Sequence, residues 1–229
     1  MKAWIKSAGN LFFPVVCQSC GSWLVQGENA LCMHCVDELP RTGYSLQPGN
    51  PTERIFWGRI DLALAGSFLE FREGGVVQDL MHRIKYKGQK ELAHALGLLY
   101  AEEIKSRFQS PPDILLPVPL HPRRERQRGY NQSEWFAKGM AEILECTVNT
   151  DLLKREIYSQ SQTRKGRFTR WENVGHIFMA RNKRLLEGKT AILVDDVVTT
   201  GATLEACLQC LRDIPGIRLG VLSLAIANG

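Results

Sequence analysis

Short apolar runs alternate with amphipathic segments over most of the chain after residue 61. Runs rich in β-branched and aliphatic residues predict strands at 62–71, 114–118, 192–194 and 218–225. Apolar residues recur at helical spacing between these runs, which predicts helices near 76–86, 91–107, 132–144 and 204–211. Because strands that alternate with helices pair in parallel, we expect an α/β fold with a parallel sheet flanked by helices.

The amino-terminal part of the chain does not follow this alternation. The segment from Arg41 to Arg59 is rich in proline, glycine and polar residues, which predicts a linker with a domain boundary near Asn50. We therefore expect a small finger and linker in residues 1–50 and the α/β domain in residues 51–229.

Four of the seven cysteines form two pairs, Cys17 with Cys20 and Cys32 with Cys35, separated by a short segment that has no core of its own. Each pair can hold one edge of a tetrahedral ion, so the spacing predicts a structural zinc site whose metal supplies folding energy. His34 is a possible substitute ligand. A redox pair and a metal-free finger are the alternatives.

Composition limits the location and the partners of the chain. No segment approaches the roughly 20 apolar residues of a membrane span, and the apolar stretch before residue 17 is short and broken by Pro14. We therefore expect a cytoplasmic protein without membrane insertion, in which clustered cysteines indicate metal or catalysis more often than disulfides. The net charge is only +5, so any nucleic-acid binding must depend on local basic clusters.

A strand, two acids, a small-residue loop and a helix follow one another between residues 191 and 211. Asp195 and Asp196 can hydrogen-bond ribose hydroxyls or lie near a cation, because ligands bind at the carboxyl ends of parallel strands. The loop offers hydroxyls, backbone N–H groups and a glycine to a phosphate, through Thr199, Thr200, Gly201, Ala202 and Thr203. A nucleotide-binding P-loop is excluded, because Gly188-Lys189-Thr190 runs into a strand and lacks the upstream glycine.

A second cluster follows the strand at 114–118. Prolines predict a loop there, and it carries Arg123, Arg124, Arg126 and Arg128. Arginines at a strand end can hold a pyrophosphate through paired hydrogen bonds. A solvated run of charge is the alternative.

A third basic stretch, residues 162–173, mixes cations with aromatic rings and contains Arg164, Arg167, Arg170 and Trp171. Three interpretations stay open: contact with single-stranded nucleic acid, a lid over a charged substrate, and docking of the rings on the core. Lys85 and Lys87 form a smaller patch. Together with Arg126 and Arg128, these residues are the candidate DNA contacts.

The order of these parts resembles the ComF/GntX family of competence and DNA-utilisation proteins. The resemblance is carried by the four-cysteine finger, the His-Arg-Ile-Lys-Tyr-Lys-Gly run at 82–88, Val-Pro-Leu-His-Pro-Arg-Arg at 118–124, Arg-Gly-Tyr-Asn-Gln at 128–132 and the acid-pair loop. Lys165 departs from the family pattern, which has an aliphatic residue there.

This resemblance implies a type I phosphoribosyltransferase-like domain with an amino-terminal zinc finger, used in transformation or DNA utilisation. It implies phosphoribosyl pyrophosphate (PRPP) with Mg²⁺ as ligands, and single-stranded DNA and competence or DNA-translocation proteins as partners. By analogy, Asp195 and Asp196 orient ribose and metal as the catalytic pair, residues 199–203 bind the 5′-phosphate, and Arg123 or Arg124 holds pyrophosphate. Both a phosphoribosyl-transferring enzyme and a non-catalytic PRPP-sensing module stay open.

Overall fold

The computed structural model describes residues 15–155 and 178–227. Within these ranges the helices are α1 (Met33–Asp37), α2 (Pro51–Arg54), α3 (Val76–Tyr86), α4 (Lys90–Ile104), α5 (Pro122–Arg128), α6 (Gln132–Leu144) and α7 (Ala202–Leu211). The strands are β1 (Leu64–Phe71), β2 (Ile114–Pro117), β3 (Thr147–Val148), β4 (Leu153–Arg155), β5 (Phe178–Ala180), β6 (Thr190–Val198) and β7 (Arg218–Ala227).

Five strands form one parallel sheet in the order β1-β7-β6-β2-β3, and β4 pairs with β5 in a separate antiparallel ribbon. The expectation of an α/β fold on a parallel sheet is therefore confirmed. Strand β6 lies at the centre of this sheet, between β7 and β2, so its carboxyl end is flanked by the ends of two other strands. Ligands bind at such an edge in open α/β sheets.

Each face of the sheet is covered by its own apolar layer, because alternate strand residues point to opposite faces. Ile192 and Val194 of β6 belong to the layer that also contains buried residues of α3, α4 and α6. Ala191 and Leu193 belong to the opposite layer, which contains the buried face of α7. The strand is therefore buried on both faces, as its continuous apolar sequence predicts.

Two elements differ from their predicted form. The arginine cluster, which the prolines predict to be a loop, is the helix α5, because Pro122 stands at its first turn and needs no backbone donor there. The His121 ring caps this helix by accepting a hydrogen bond from the Arg123 N–H at 3.2 Å. Strand β6 also continues through the acid pair to Val198, because it keeps pairing with β7 as far as Ile226.

The segment predicted to be a linker contacts the sheet. The backbone N–H groups of Thr42 and Leu46 donate hydrogen bonds to the carbonyls of Phe68 and Ala65 in β1, at 2.9 and 3.1 Å. This segment therefore covers the outer edge of β1, which would otherwise expose unpaired backbone groups. A domain boundary near Asn50 stays a prediction. In the described part of the chain, none of the helices has the length and apolar character needed to cross a bilayer.

Candidate functional site

The acid pair lies near the carboxyl end of β6 and is held by a defined set of hydrogen bonds. Asp195 Oδ1 accepts from the backbone N–H of Asp196 at 2.8 Å, and Asp196 Oδ1 accepts from the N–H of Val197 at 2.7 Å. The backbone thus fixes one oxygen of each carboxylate. The second oxygen of Asp196 faces the neighbouring helices.

Helix α6 supplies two side chains to this pair. Ser133 Oγ donates to Asp195 Oδ1 at 3.2 Å, and Gln132 Nε2 donates to Asp196 Oδ2 at 2.8 Å. Asn131 fixes the start of the helix, since its side chain accepts from the Ser133 N–H at 3.0 Å and donates to the Val118 carbonyl at 2.9 Å. The polar triplet of residues 131–133, at the start of a predicted helix, is the sequence feature that could have indicated Gln132 and Ser133 as site residues.

Lys85 also belongs to this site. Its Nζ lies 2.7 Å from Asp196 Oδ2, and the two side chains are only 23% and 14% exposed. The structure therefore places a residue expected among the DNA contacts on the acid pair instead. Lys87, two positions later, is exposed. A DNA contact through either lysine stays a prediction.

The Asp195 carboxyl group has a strongly perturbed pKa. Burial, followed by the negative charge of Asp196, raises the pKa of Asp195 to about 7. Desolvation and a like charge both disfavour ionisation of a carboxyl group. Near neutral pH, Asp195 is therefore poised to gain or lose a proton, while Asp196 carries the ion pair with Lys85.

The loop after β6 forms a small cradle at the amino end of α7. It encloses about 50 Å³ and is lined by residues 197–204 together with Asp195. Gly201 adopts a left-handed backbone with φ of +75°, and a Cβ placed there would lie 2.5 Å from Ile55 Cγ2. The space matches a single phosphate group rather than a whole nucleotide, and the helix dipole favours an anion there. All five predicted phosphate-loop residues line this cradle.

The four arginines of α5 do not share one environment. Arg123, Arg124 and Arg126 are exposed, whereas Arg128 is partly buried and donates to Gln132 Oε1 at 2.8 Å. Arg128 is therefore linked through Gln132 to the acid pair. Pyrophosphate binding by Arg123 or Arg124 stays a prediction. Arg164, Arg167, Arg170 and Trp171 lie outside the described residues.

The four paired cysteines converge in the finger. The sulfur atoms of Cys17, Cys20, Cys32 and Cys35 all lie within 4.8 Å of one another. Tetrahedral zinc with Zn–S bonds of about 2.3 Å separates its sulfur ligands by roughly 3.8 Å, close to the 3.7 Å between Cys20 Sγ and Cys32 Sγ. Two backbone N–H groups, from Ser19 and Cys32, point at Cys17 Sγ at 3.4 and 3.3 Å. The donor set therefore fits zinc.

The acid pair fits a magnesium ion in its chemistry. Adjacent carboxylates are the hard oxygen ligands that Mg²⁺ prefers. The position beside Asp196 Oδ2 already holds a positive charge, the Lys85 ammonium. A magnesium ion bound at this oxygen would therefore have to take the place of the Lys85 ammonium, because two cations repel each other.

The comparisons with known proteins identify first the class of domain. The phosphoribosyl transferase domain family matches residues 131–223, a range that includes the start of α6, the acid pair and the cradle. With the parallel sheet and its flanking helices, this match shows a type I phosphoribosyltransferase-like fold. A solved structure of the allosteric regulatory enzyme of purine biosynthesis aligns with 17% identity and a TM-score of 0.42, over 61% of this chain and 29% of its own.

Individual relatives extend the comparison beyond this domain. Competence protein F of Haemophilus influenzae is 26% identical over 94% of this chain and 99% of its own length. Competence protein ComFC of Bacillus subtilis is 28% identical over 86% of this chain and 72% of its own. DNA utilization protein YhgH of Salmonella typhi is 32% identical, over 58% of this chain and 59% of its own. The chain is thus a homologue of the competence and DNA utilisation proteins, which confirms the ComF/GntX resemblance.

Proposed function

We propose that this protein binds PRPP with Mg²⁺ at the carboxyl edge of β6 and acts on single-stranded DNA in the cytoplasm during DNA uptake or utilisation. The observation that carries the proposal is the juxtaposition of the acid pair with the phosphate-sized cradle, on the central strand of the sheet. The names of the competence and DNA utilisation relatives support the role in DNA handling.

Each part of PRPP has a matching group in this site. Backbone N–H groups and hydroxyls of residues 199–203 would hold the 5′-phosphate, as helix amino ends hold anions. Asp195 and Asp196 would accept hydrogen bonds from the ribose hydroxyls. Arg123 or Arg124 would hold the pyrophosphate. When bound at the acid pair, Mg²⁺ would neutralise charge on the pyrophosphate oxygens.

The raised pKa of Asp195 supports an enzyme that transfers phosphoribose. A carboxyl group with a pKa of about 7 can accept a proton from an attacking nucleophile near neutral pH. The alternative, a non-catalytic PRPP-sensing module that binds DNA or a protein partner, is supported by Asp196. Its carboxylate is paired with Lys85 and bonded to Gln132, so it is already occupied in holding these side chains.

Two assays on the zinc-loaded protein test the proposal and separate its two forms. Anisotropy of a labelled single-stranded oligodeoxynucleotide should show binding that weakens steeply with salt and changes when PRPP and Mg²⁺ are added. Pyrophosphate release from PRPP in the presence of bases, nucleotides or DNA fragments would establish the enzyme. Binding without release supports the sensing module. Absence of both PRPP and DNA binding would contradict the proposal.

A further inference from the structure

An exposed aromatic ring ends α3 immediately after Lys85. Tyr86 is 66% exposed, although two side chains lie against it. The His82 ring lies 5.1 Å from it, centroid to centroid, and the Arg128 guanidinium lies 5.6 Å from its centroid. We call Tyr86, His82 and Arg128 the Tyr86 platform. A large ring that stays exposed between two such groups is a surface on which a further flat group can stack.

The Tyr86 platform is connected to the acid pair by a closed chain of contacts. Arg128 donates to Gln132 at 2.8 Å, Gln132 donates to Asp196 at 2.8 Å, and Asp196 pairs with Lys85 at 2.7 Å. Lys85 is the residue before Tyr86, which closes the chain. The ring is therefore connected to Asp196 of the proposed PRPP site by two routes, through Arg128 with Gln132 and through Lys85.

The end of α3 is also anchored. The Tyr130 hydroxyl, just after Gly129, donates a hydrogen bond to the Ile84 carbonyl in the last turn of the helix. Burial raises the pKa of Tyr130, so its hydroxyl keeps the proton that it donates here. This hydrogen bond therefore holds the last turn of α3, which carries Tyr86, against the segment between α5 and α6.

We propose that Tyr86 is the stacking position for one base of a single-stranded DNA, a site that rests on the proposed DNA-handling function. Aromatic rings among cations bind single strands by stacking a base and attracting its phosphates. Lys87 and Arg126 are exposed and form no ion pair with any described residue, so they are available to flanking phosphates. A free base could stack on the ring, but it has no phosphates for these two cations to bind. The exposed cations therefore favour a DNA strand as the ligand.

The contacts of Arg128 couple the Tyr86 platform to the acid pair. Arg128 contacts both the ring and Gln132, so a base that stacks on Tyr86 and shifts Arg128 also changes the hydrogen bonds at Asp196. PRPP and the strand would then alter each other's affinity by the same factor, as linkage requires. Such coupling would join the proposed sugar-phosphate site to the DNA that the protein handles.

The test compares two oligonucleotides that carry the same phosphates. One is a 12-mer of deoxythymidine, and the other is a 12-mer in which abasic units replace the nucleosides. Tyr86→Ala should weaken binding of the deoxythymidine 12-mer by roughly 5- to 150-fold, the range for losing one stacked base. It should leave binding of the abasic 12-mer unchanged. Tyr86→Phe should retain binding. Tyr86→Leu is the matched control, since it keeps an apolar side chain without the ring and should behave as Tyr86→Ala.

Each other outcome overturns the inference in a recognisable way. Equal weakening of both oligonucleotides by Tyr86→Ala would mean that the ring acts through the fold, and no weakening of either would place the base elsewhere. If Tyr86→Ala abolished binding of free thymidine, titrated separately, but left binding of the deoxythymidine 12-mer unchanged, Tyr86 would be assigned to a free nucleoside. If the wild-type protein bound neither oligonucleotide, the DNA part of the proposed function would fail as well. PRPP binding, measured separately, would show whether the remainder stands.

Discussion

Replacement of Gly201 by alanine is the most informative perturbation of the cradle. The left-handed backbone at this residue, with φ of +75°, costs an alanine about 1–2 kcal/mol. The added Cβ would also lie 2.5 Å from Ile55 Cγ2, and such overpacking costs typically about 1–3 kcal/mol. We therefore expect Gly201→Ala to lower the free energy of unfolding by about 2–5 kcal/mol, a large share of the stability of a typical domain.

A double-mutant cycle separates the two contributions. Ile55→Ala removes the methyl group nearest to the new Cβ, while the Phe56 ring stays 3.2 Å from it, so Gly201→Ala should cost at least about 1 kcal/mol less in that background. Gly74→Ala is the matched control. Its φ is +71° and nothing lies within 4 Å of the added Cβ, so only the backbone cost is expected.

The stability assay is urea denaturation of the wild type, Gly201→Ala, Ile55→Ala, their double variant and the Gly74→Ala control. PRPP with Mg²⁺ is then titrated calorimetrically into each folded protein. Gly201→Ala should weaken PRPP binding by about tenfold or more, because the backbone N–H groups of the cradle move. Gly74→Ala should leave PRPP binding unchanged. Equal costs for the two glycine variants, or undiminished PRPP affinity in Gly201→Ala, would refute the reasoning.

Three further predictions concern the acid pair and the finger. Lys85→Met should lower the free energy of unfolding by about 1–3 kcal/mol, between the values for exposed and buried ion pairs, while Lys87→Met should have little effect; equal effects would contradict the Lys85 contact. The raised pKa of Asp195 means that the folded protein keeps a proton that the unfolded chain loses, so stability should fall as pH rises from about 4 to about 7. Asp195→Asn should flatten this slope in denaturation measured across that range, and an unchanged slope would assign the titration to another group. Metal analysis should give one zinc per chain, and chelation should lower the thermal midpoint, because Cys17 and Cys32 belong to the same apolar layer as α3. Cys35→Ser should reproduce this loss, whereas full stability without zinc would support a metal-free finger.

The parts of the site that are local in sequence could be predicted, and the parts that depend on tertiary contacts could not. The strand, acid pair and glycine loop follow one another within residues 190–211, so their order alone predicts the cradle. Lys85 and Asp196 are far apart along the chain. Their contact depends on how far α3 reaches over the end of the sheet, which hydrophobic periodicity does not specify.

Helix α5 shows a second limit of sequence reasoning. Prolines before a run of charges predict a loop when each proline is taken as a helix breaker, but Pro122 occupies the first turn, where a missing N–H costs nothing. The His121 side chain and Gly129 supply the two ends of the helix. These end residues, rather than the charges between them, are the sequence signal that predicts helix α5.

The measurement that tests the central claim most directly is calorimetric titration of PRPP with Mg²⁺ into the zinc-loaded wild-type protein and into the variant with Asp195→Asn and Asp196→Asn. We expect binding of one PRPP per chain by the wild type, and loss of that binding in the double variant, whose side chains keep their size but lose their charge. Binding of equal affinity by both proteins would contradict the assignment of the acid pair to ribose and metal. Absence of binding by the wild type would contradict the proposed PRPP site itself.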